Sequence, residues 1–128
     1  MNYDPIFDKW HEECGVFGVF DRTVDVARYV YWGLFALQHR GQESAGIAIT
    51  DGNEVALKKG MGLLTEAIKE LPTLKSHMGT GHVRYSTTGS NNPRNIQPLV
   101  IHYQGGQIAV AHNGNLTNAL GIRRQLEA

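Results

Sequence analysis

Cys14 is the only cysteine among the 128 residues, and it stands between two glutamates and Gly15 in the segment Glu-Glu-Cys-Gly-Val-Phe-Gly. A lone cysteine in an apolar run is often an inert core residue. Here the preceding acids favour an exposed position, and Gly15 leaves the backbone open to close approach. Cys14 is therefore a candidate nucleophile where an exposed leader joins a strand. A single thiol cannot form an internal disulfide bond, so the chain needs no oxidising compartment.

Arg84 lies in a second segment, residues 81–89, where an apolar run continues into hydroxyl side chains. An arginine in such a position often extends along the surface or pairs there. Its planar guanidinium also matches a carboxylate, which it binds through two parallel hydrogen bonds. Thr87 and Thr88 would add hydroxyl groups beside it. The segment is a candidate carboxylate-binding site.

Asn113 and Gly114 follow an apolar run at residues 107–112 and precede a polar stretch. Asn-Gly is first of all a turn sequence. At a strand end, the asparagine amide and the glycine N–H could also donate to one oxygen atom, which is what an oxyanion hole requires. The residues alone leave both interpretations open.

The six histidines lack the tight spacing of a zinc site, and only one cysteine could join them. A papain-like arrangement would use Cys14, one of these histidines and Asn113, and the spacing leaves that alternative open. The histidines are His11, His39, His77, His82, His102 and His112.

Hydrophobic spacing predicts the elements that must position these residues. Residues 14–20 predict a buried strand, and from Val26 apolar residues recur at helical spacing up to Gly41, which is placed to end the helix. The polar cluster 37–42, which includes Arg40, fits a helix cap as well as the wall of a site.

The later part of the chain predicts two hairpins and two more helices. In order, these are strands 44–50 and 54–58 around a turn at 51–53, a short helix capped by Thr65 and ending before Pro72, a strand from Gly79, strands 99–103 and 107–112 around Gly105-Gly106, and a helix opened by Asn115 or Thr117. Hairpins flanked by helices favour an α+β fold over a doubly wound one. The last helix has no stop signal, so we expect a fragment of a longer protein.

Twelve basic residues balance twelve acidic ones, and 41% of the residues are hydrophobic. This composition is typical of one globular domain, with no long-range attraction to nucleic acid or to an anionic membrane. Residues 1–13 are polar and lack the apolar run of a secretory signal, and no segment approaches the ~20 apolar residues of a membrane span. We expect a cytoplasmic protein with a small-molecule partner.

Taken together, four ordered segments resemble the amidophosphoribosyltransferase family, glutamine-dependent enzymes that open purine nucleotide synthesis. The segments are CGVFG at 14–18, LQHRGQ at 37–42, GHVRY at 81–85 and AHNGNLTN at 111–118. The resemblance covers residues 14–128 almost continuously. The glucosamine-6-phosphate synthases, an alternative, typically have Tyr-Arg-Gly-Tyr and Thr-Arg-Trp where this chain has His-Arg-Gly-Gln and Val-Arg-Tyr.

The resemblance implies an α+β N-terminal-nucleophile hydrolase fold, with two stacked antiparallel sheets between helix layers (αββα), here incomplete. It implies that residues 1–13 are a leader propeptide and that residues 14–128 begin a class II glutamine amidotransferase domain. Carried over by position, the functional residues would be Cys14 as nucleophile, Asn113 and the Gly114 N–H as oxyanion hole and substrate contact, Arg84 and Thr87 at the glutamine carboxylate, and Arg40 and Gly41 beside the nucleophile.

The resemblance further implies partners that act in the full-length enzyme. They are glutamine, phosphoribosyl pyrophosphate bound by a C-terminal domain, Mg²⁺, in some members an iron–sulfur cluster, and further copies in a homo-oligomer. No metal is expected within this chain. The aspartate with which the family binds the glutamine amino group would lie beyond residue 128, so we expect the isolated chain to be inactive. A fragment that serves only as a binding module is the non-enzymatic alternative.

Overall fold

The computed structural model describes residues 14–41, 43–85, 92–114 and 116–128. The predicted leader, Thr87 and Asn115 lie outside these ranges. Within them the chain forms six strands and three α-helices, in the order β1 (Gly15–Phe20), α1 (Val26–Ala36), β2 (Ser44–Thr50), β3 (Val55–Met61), α2 (Leu64–Ala67), β4 (Met78–Arg84), β5 (Leu99–Tyr103), β6 (Gly106–Val110) and α3 (Ala119–Glu127). The predicted α+β order is confirmed.

Four of the strands form one antiparallel sheet, in the order β1-β4-β2-β3. β2 is a nearly continuous apolar run and is buried along almost its whole length, as suits a central strand. β4 is rich in glycine because α1 packs directly on it: a Cβ added to Gly81 would lie 2.6 Å from Leu34 Cδ1. The opposite face of β4 is thereby left to His82 and Arg84.

α1 begins at a capped end, because the Asp25 side chain accepts a 3.2 Å hydrogen bond from the Arg28 N–H. Its inner face buries Val26, Val30 and Leu34 completely against the sheet. Each such burial contributes about 1.5–3 kcal/mol relative to exposure. This face forms the centre of the core. It also packs against β4, the strand that ends at the candidate site.

Gly41 does not end α1, so that prediction is wrong. The helix ends at Ala36, a single 3-10 turn follows at Gln38–Arg40, and Gly41 is extended with φ −161°. The Leu37 N–H bonds to the carbonyls of both Gly33 and Leu34, which tightens the last turn. Glycine is needed at 41 for a different reason, described below.

The hairpin of β5 and β6 forms a separate two-stranded sheet. Its turn contains Gly106 with φ +135°, a conformation that favours glycine, as the sequence predicts. The hairpin is tied to the four-stranded sheet by the Gln107 side chain, whose Oε1 accepts a 2.8 Å hydrogen bond from the β3 residue Val55. Both sheets are antiparallel, as the fold prediction requires.

The two remaining helices begin at other residues than the sequence suggests. α2 contains Thr65 in its first turn, and its cap is the Glu66 carboxylate, which accepts a 2.9 Å hydrogen bond from the Leu63 N–H. α3 starts at Ala119, after Asn118. Over the described ranges, none of the helices combines the length and the apolar character that a membrane crossing demands.

Candidate active site

Cys14 immediately precedes β1, and the strand register determines what its thiol meets. Gly15 pairs with Val83 of β4, so Cys14 lies beside the end of that strand. The half-buried thiol contacts the main chain of Tyr85: the Tyr85 N–H lies 3.4 Å from Sγ, and Sγ lies 3.5 Å from the Tyr85 carbonyl oxygen. The thiol is therefore held at the edge of the sheet.

Two predicted site residues converge on the carbonyl oxygen of Cys14. Asn113 Nδ2 donates to it at 2.6 Å, and Arg40 Nε donates at 3.5 Å. Both donors come from elsewhere in the chain, Arg40 from the 3-10 turn after α1 and Asn113 from the loop after β6. A side-chain amide carries two N–H groups, so Asn113 keeps one for a second acceptor.

Gly41 is required because two backbones meet there. A Cβ at this position would lie 2.6 Å from the Val83 carbonyl carbon and 2.7 Å from the Arg84 nitrogen. The Gln38 side chain fixes the turn, since its Nε2 donates to the Gly41 carbonyl at 2.6 Å and its Oε1 accepts from the Leu64 N–H at 2.8 Å. This packing brings Arg40 to the nucleophile.

Gly114 follows Asn113 with φ +145°, a backbone conformation that side chains rarely adopt. A Cβ there would also stand 3.2 Å from His112 Nε2. Glycine therefore allows the main chain to bend sharply immediately after Asn113. The main chain bends at Gly114, and Asn113 lies beside the candidate nucleophile.

Arg84 is the last residue of β4, one position before Tyr85. Its Nη1 donates to the main-chain carbonyl oxygen of Asn95 at 3.3 Å. Within the described residues, no carboxylate lies within 4.0 Å of its guanidinium. The group keeps further N–H donors for an anionic ligand. Thr87, predicted to act with it, lies outside the described residues.

Sequence reasoning names His82 only as one of six histidines and does not predict its burial. It is 1% exposed, and its ring nitrogens have no hydrogen-bond partner among the described residues. Burial is the main cause that lowers the pKa of His82 to about 4. The charges of Arg84 and His112 lower the pKa further. The nearby main chain of His112 opposes the shift, without forming a well-aligned hydrogen bond. His82 is neutral at physiological pH, under the loop that carries Asn113.

Gln97 is a second residue that the sequence did not single out. Its Oε1 accepts a 2.6 Å hydrogen bond from the N–H of His112, the residue before Asn113. A glutamine before a proline gives no signal of such a role, because the contact depends on how two distant segments pack. Among the described residues, no group of three or more His, Cys, Asp or Glu side chains is placed to hold a metal ion.

The profile of the family described as glutamine amidotransferases class-II matches residues 34–127. The matched range begins after Cys14 and includes Arg40, Gly41, Arg84, Asn113 and Gly114.

Two archaeal relatives are amidophosphoribosyltransferases. The protein of Methanothermobacter thermautotrophicus is 46% identical over 120 residues, which are 91% of this chain and 25% of the relative. That of Methanocaldococcus jannaschii is 50% identical over 117 residues, which are 89% of this chain and 25% of the relative. The chain therefore spans about a quarter of the length of the curated relatives it matches.

Two solved structures share the fold. Glutamine phosphoribosylpyrophosphate amidotransferase from B. subtilis, complexed with ADP and GMP, superposes with a TM-score of 0.77 at 45% identity over 88% of this chain and 24% of its own. A structure described as the allosteric regulatory enzyme of purine biosynthesis gives a TM-score of 0.79 at 46% identity with the same coverage. The fold is that of the N-terminal-nucleophile hydrolases, and the chain belongs to the class-II glutamine amidotransferases.

Proposed function

We propose that this chain is the glutaminase part of an amidophosphoribosyltransferase, with Cys14 as the nucleophile that releases ammonia from glutamine. The observation that carries the proposal is the convergence on Cys14. Asn113 and Arg40 donate to its carbonyl oxygen, while the main chain of Tyr85 contacts its thiol. Residues from three separate parts of the sequence thus contact Cys14, the residue that carries the chain's one thiol.

The chemistry follows from a free amino group on Cys14. An α-amino group has a pKa near ~8, so part of it is neutral at physiological pH and can take the thiol proton. The thiolate attacks the side-chain amide carbon of glutamine and forms a tetrahedral oxyanion. Collapse of this intermediate breaks the carbon–nitrogen bond and releases ammonia, leaving a thioester. Water then attacks the thioester and yields glutamate with the free thiol.

The neighbouring residues have separate tasks in this scheme. The second N–H of Asn113 and the N–H of Gly114 stabilise the oxyanion, a contribution of ~3–4 kcal/mol for one well-placed donor. Arg84 and Thr87 bind the α-carboxylate of glutamine. Arg40 holds the Cys14 carbonyl, and Gly41 allows the backbone approach that brings Arg40 there.

The released ammonia passes, in this proposal, to phosphoribosyl pyrophosphate bound by a further part of the protein. Both archaeal relatives are about four times as long as the matched region, which leaves room for such a part. The described residues offer no set of ligands for Mg²⁺ or an iron–sulfur cluster. The proposal for the complete enzyme includes Mg²⁺, in some members an iron–sulfur cluster, a homo-oligomeric assembly and a cytoplasmic location.

The full-length protein tests this function directly. Purified enzyme given glutamine and phosphoribosyl pyrophosphate should release glutamate and pyrophosphate in equal amounts. Cys14→Ser should abolish the glutamine-dependent reaction and leave any reaction with free ammonia intact, because the serine hydroxyl is a far weaker nucleophile at neutral pH. Glutamate release that depends on fructose 6-phosphate, and not on phosphoribosyl pyrophosphate, would contradict the proposal and favour the glucosamine-6-phosphate synthase alternative.

A further inference from the structure

We propose that Gln97 is a positioning residue of this site, which sets the location of the Asn113 amide relative to the Cys14 thiol. The inference rests on the proposed glutaminase function. Gln97 lies outside the motif segments, and among the described residues its side chain forms no hydrogen bond with Asn113 or Cys14. It acts through His112, whose N–H it binds at 2.6 Å.

The strand register explains why a side chain makes this bond. Leu99 pairs with Val110 at the end of the β5–β6 ladder. Continued by two residues, the same register would place Gln97 opposite His112, but both residues lie outside the strands and the main chain bends at Gln97. The His112 N–H would lose its main-chain partner there, and an unpaired donor at that point would let the loop shift. The Gln97 side chain supplies the missing acceptor.

Gln97 can act as a fixed point because its own segment is anchored to the four-stranded sheet. The neighbouring Ile96 is 5% exposed, and its carbonyl oxygen accepts a 2.8 Å hydrogen bond from Lys59 Nζ of β3. The Gln97 carbonyl oxygen lies so close to Gly46 of β2 that an added Cβ would collide with it. Gln97 thus rests on the same sheet that carries the nucleophile.

This arrangement connects the two halves of the reaction centre. Cys14 leads into β1 of the four-stranded sheet, whereas Asn113 leaves β6 of the hairpin. Their relative position therefore depends on how firmly the hairpin end is held to the sheet. A displacement of ~1 Å of a catalytic group costs about 100-fold in rate. The Gln97–His112 bond fixes the hairpin end one residue before the oxyanion donor.

The test uses two substitutions of Gln97 in the full-length enzyme and one matched control. Gln97→Met removes the acceptor at nearly constant volume, and Gln97→Glu keeps a carboxylate oxygen for the His112 N–H. The control is Gln107→Met, because Gln107 also accepts a main-chain N–H, that of Val55 at 2.8 Å, on the same hairpin but near its turn. Glutaminase kcat and KM are measured together with binding of an aldehyde analogue of glutamine, which adds to the thiol and places its oxygen in the oxyanion position.

Gln97→Met should lower kcat by ~10–100-fold with a change in KM below ~3-fold, because the affected donor acts on charge that forms in the transition state. Aldehyde affinity should fall by a similar factor, while affinity for the product glutamate stays within ~3-fold. Gln97→Glu should recover most of the loss, and Gln107→Met should keep wild-type kcat. Equal losses for Gln97→Met and Gln107→Met would reveal a general effect of hairpin packing and overturn the inference.

The outcome separates this inference from the function on which it rests. If the wild type is active and a folded Gln97→Met variant keeps its kcat and its affinity for the aldehyde, the positioning role alone is overturned. A wild type with a free Cys14 amino group and no glutamine hydrolysis would overturn the proposed function and the inference with it.

Discussion

Asn113 donates a 2.6 Å hydrogen bond from its side-chain amide to the main-chain carbonyl oxygen of Cys14, a residue 99 positions earlier in the sequence. The carbonyl and the thiol belong to the same residue, so this bond fixes the amide relative to the thiol. In the proposed mechanism, the second N–H of the amide stabilises the oxyanion. One asparagine thereby joins the end of the hairpin to the start of β1 and supplies a candidate catalytic donor.

Asn113→Ala should lower glutaminase turnover in the full-length protein by ~100-fold or more, with a smaller change in KM for glutamine. The amide would meet charge that exists mainly in the transition state. Steady-state kinetics measure both constants, and Asn53→Ala in the exposed β2–β3 turn serves as the control. Unchanged turnover in a folded Asn113→Ala enzyme would leave this residue with a turn role only.

Arg84→Lys should weaken the use of glutamine by about 10-fold or more in kcat/KM although the positive charge is kept. Lysine offers a point charge and cannot reproduce two parallel hydrogen bonds to a carboxylate. Arg123→Lys on α3 is the matched control, because that arginine pairs with Glu127 at the surface. A wild-type specificity constant for Arg84→Lys would remove the carboxylate-binding role.

Gly41→Ala and Gly121→Ala should change stability in opposite directions. A Cβ at Gly41 would meet the Val83 carbonyl carbon at 2.6 Å, so the backbone must shift, at a cost of about 1–3 kcal/mol. A Cβ at Gly121 of α3 meets nothing within 4 Å, and alanine there should add about 0.5–1 kcal/mol through helix propensity. Denaturant unfolding of the two variants measures both values. Equal stability of Gly41→Ala and wild type would contradict the close approach.

His82 should make the enzyme less stable as the pH falls from 6.5 to about 4. Its folded-state pKa is lowered from 6.5 to about 4, mainly by burial, so in this window the unfolded chain binds a proton that the folded chain does not. The difference corresponds to ~3 kcal/mol. Between pH 6.5 and about 4, the stability of the wild type should therefore fall more steeply than that of His82→Leu, measured at several pH values. Parallel curves would show that His82 is protonated as easily when folded.

The sequence predicts the site's participants better than the contacts among them. Residue type and context single out Cys14 and Asn113, the family resemblance adds Arg40, and the structure brings all three together. The order of the strands along the chain also follows from the sequence, because apolar periodicity and glycine-rich turns are local signals. The helix end at Ala36 was missed because the tightening of its last turn and the Gln38 bonds depend on packing.

Residues that support the site through distant partners leave no such local signal. Gln97 looks like an ordinary polar residue before a proline, and its partner His112 is 15 residues away. His82 sits in an alternating strand where a surface position is equally compatible with the pattern. Only the folded structure, which brings His112 close to it, shows that its ring is buried and has no hydrogen-bond partner among the described residues. Long-range packing therefore decides these roles.

The active protein should begin at Cys14, with residues 1–13 removed. While the Glu13–Cys14 bond is intact, the Cys14 nitrogen is an amide with no basic lone pair, so it cannot take the thiol proton. The thiol can remove the leader itself by attacking the Glu13 carbonyl carbon. The acyl group then moves from nitrogen to sulfur, which breaks the peptide bond and frees the Cys14 amino group. Water cleaves the resulting thioester, so that the leader leaves with a Glu13 carboxylate and the Cys14 thiol is restored. Cys14→Ser should slow this processing and abolish glutamine use, and a version that starts Met-Cys14 should be active once the methionine is removed. N-terminal sequencing of the active enzyme provides the measurement, because full turnover by molecules that still carry Met1 would rule out the α-amino base.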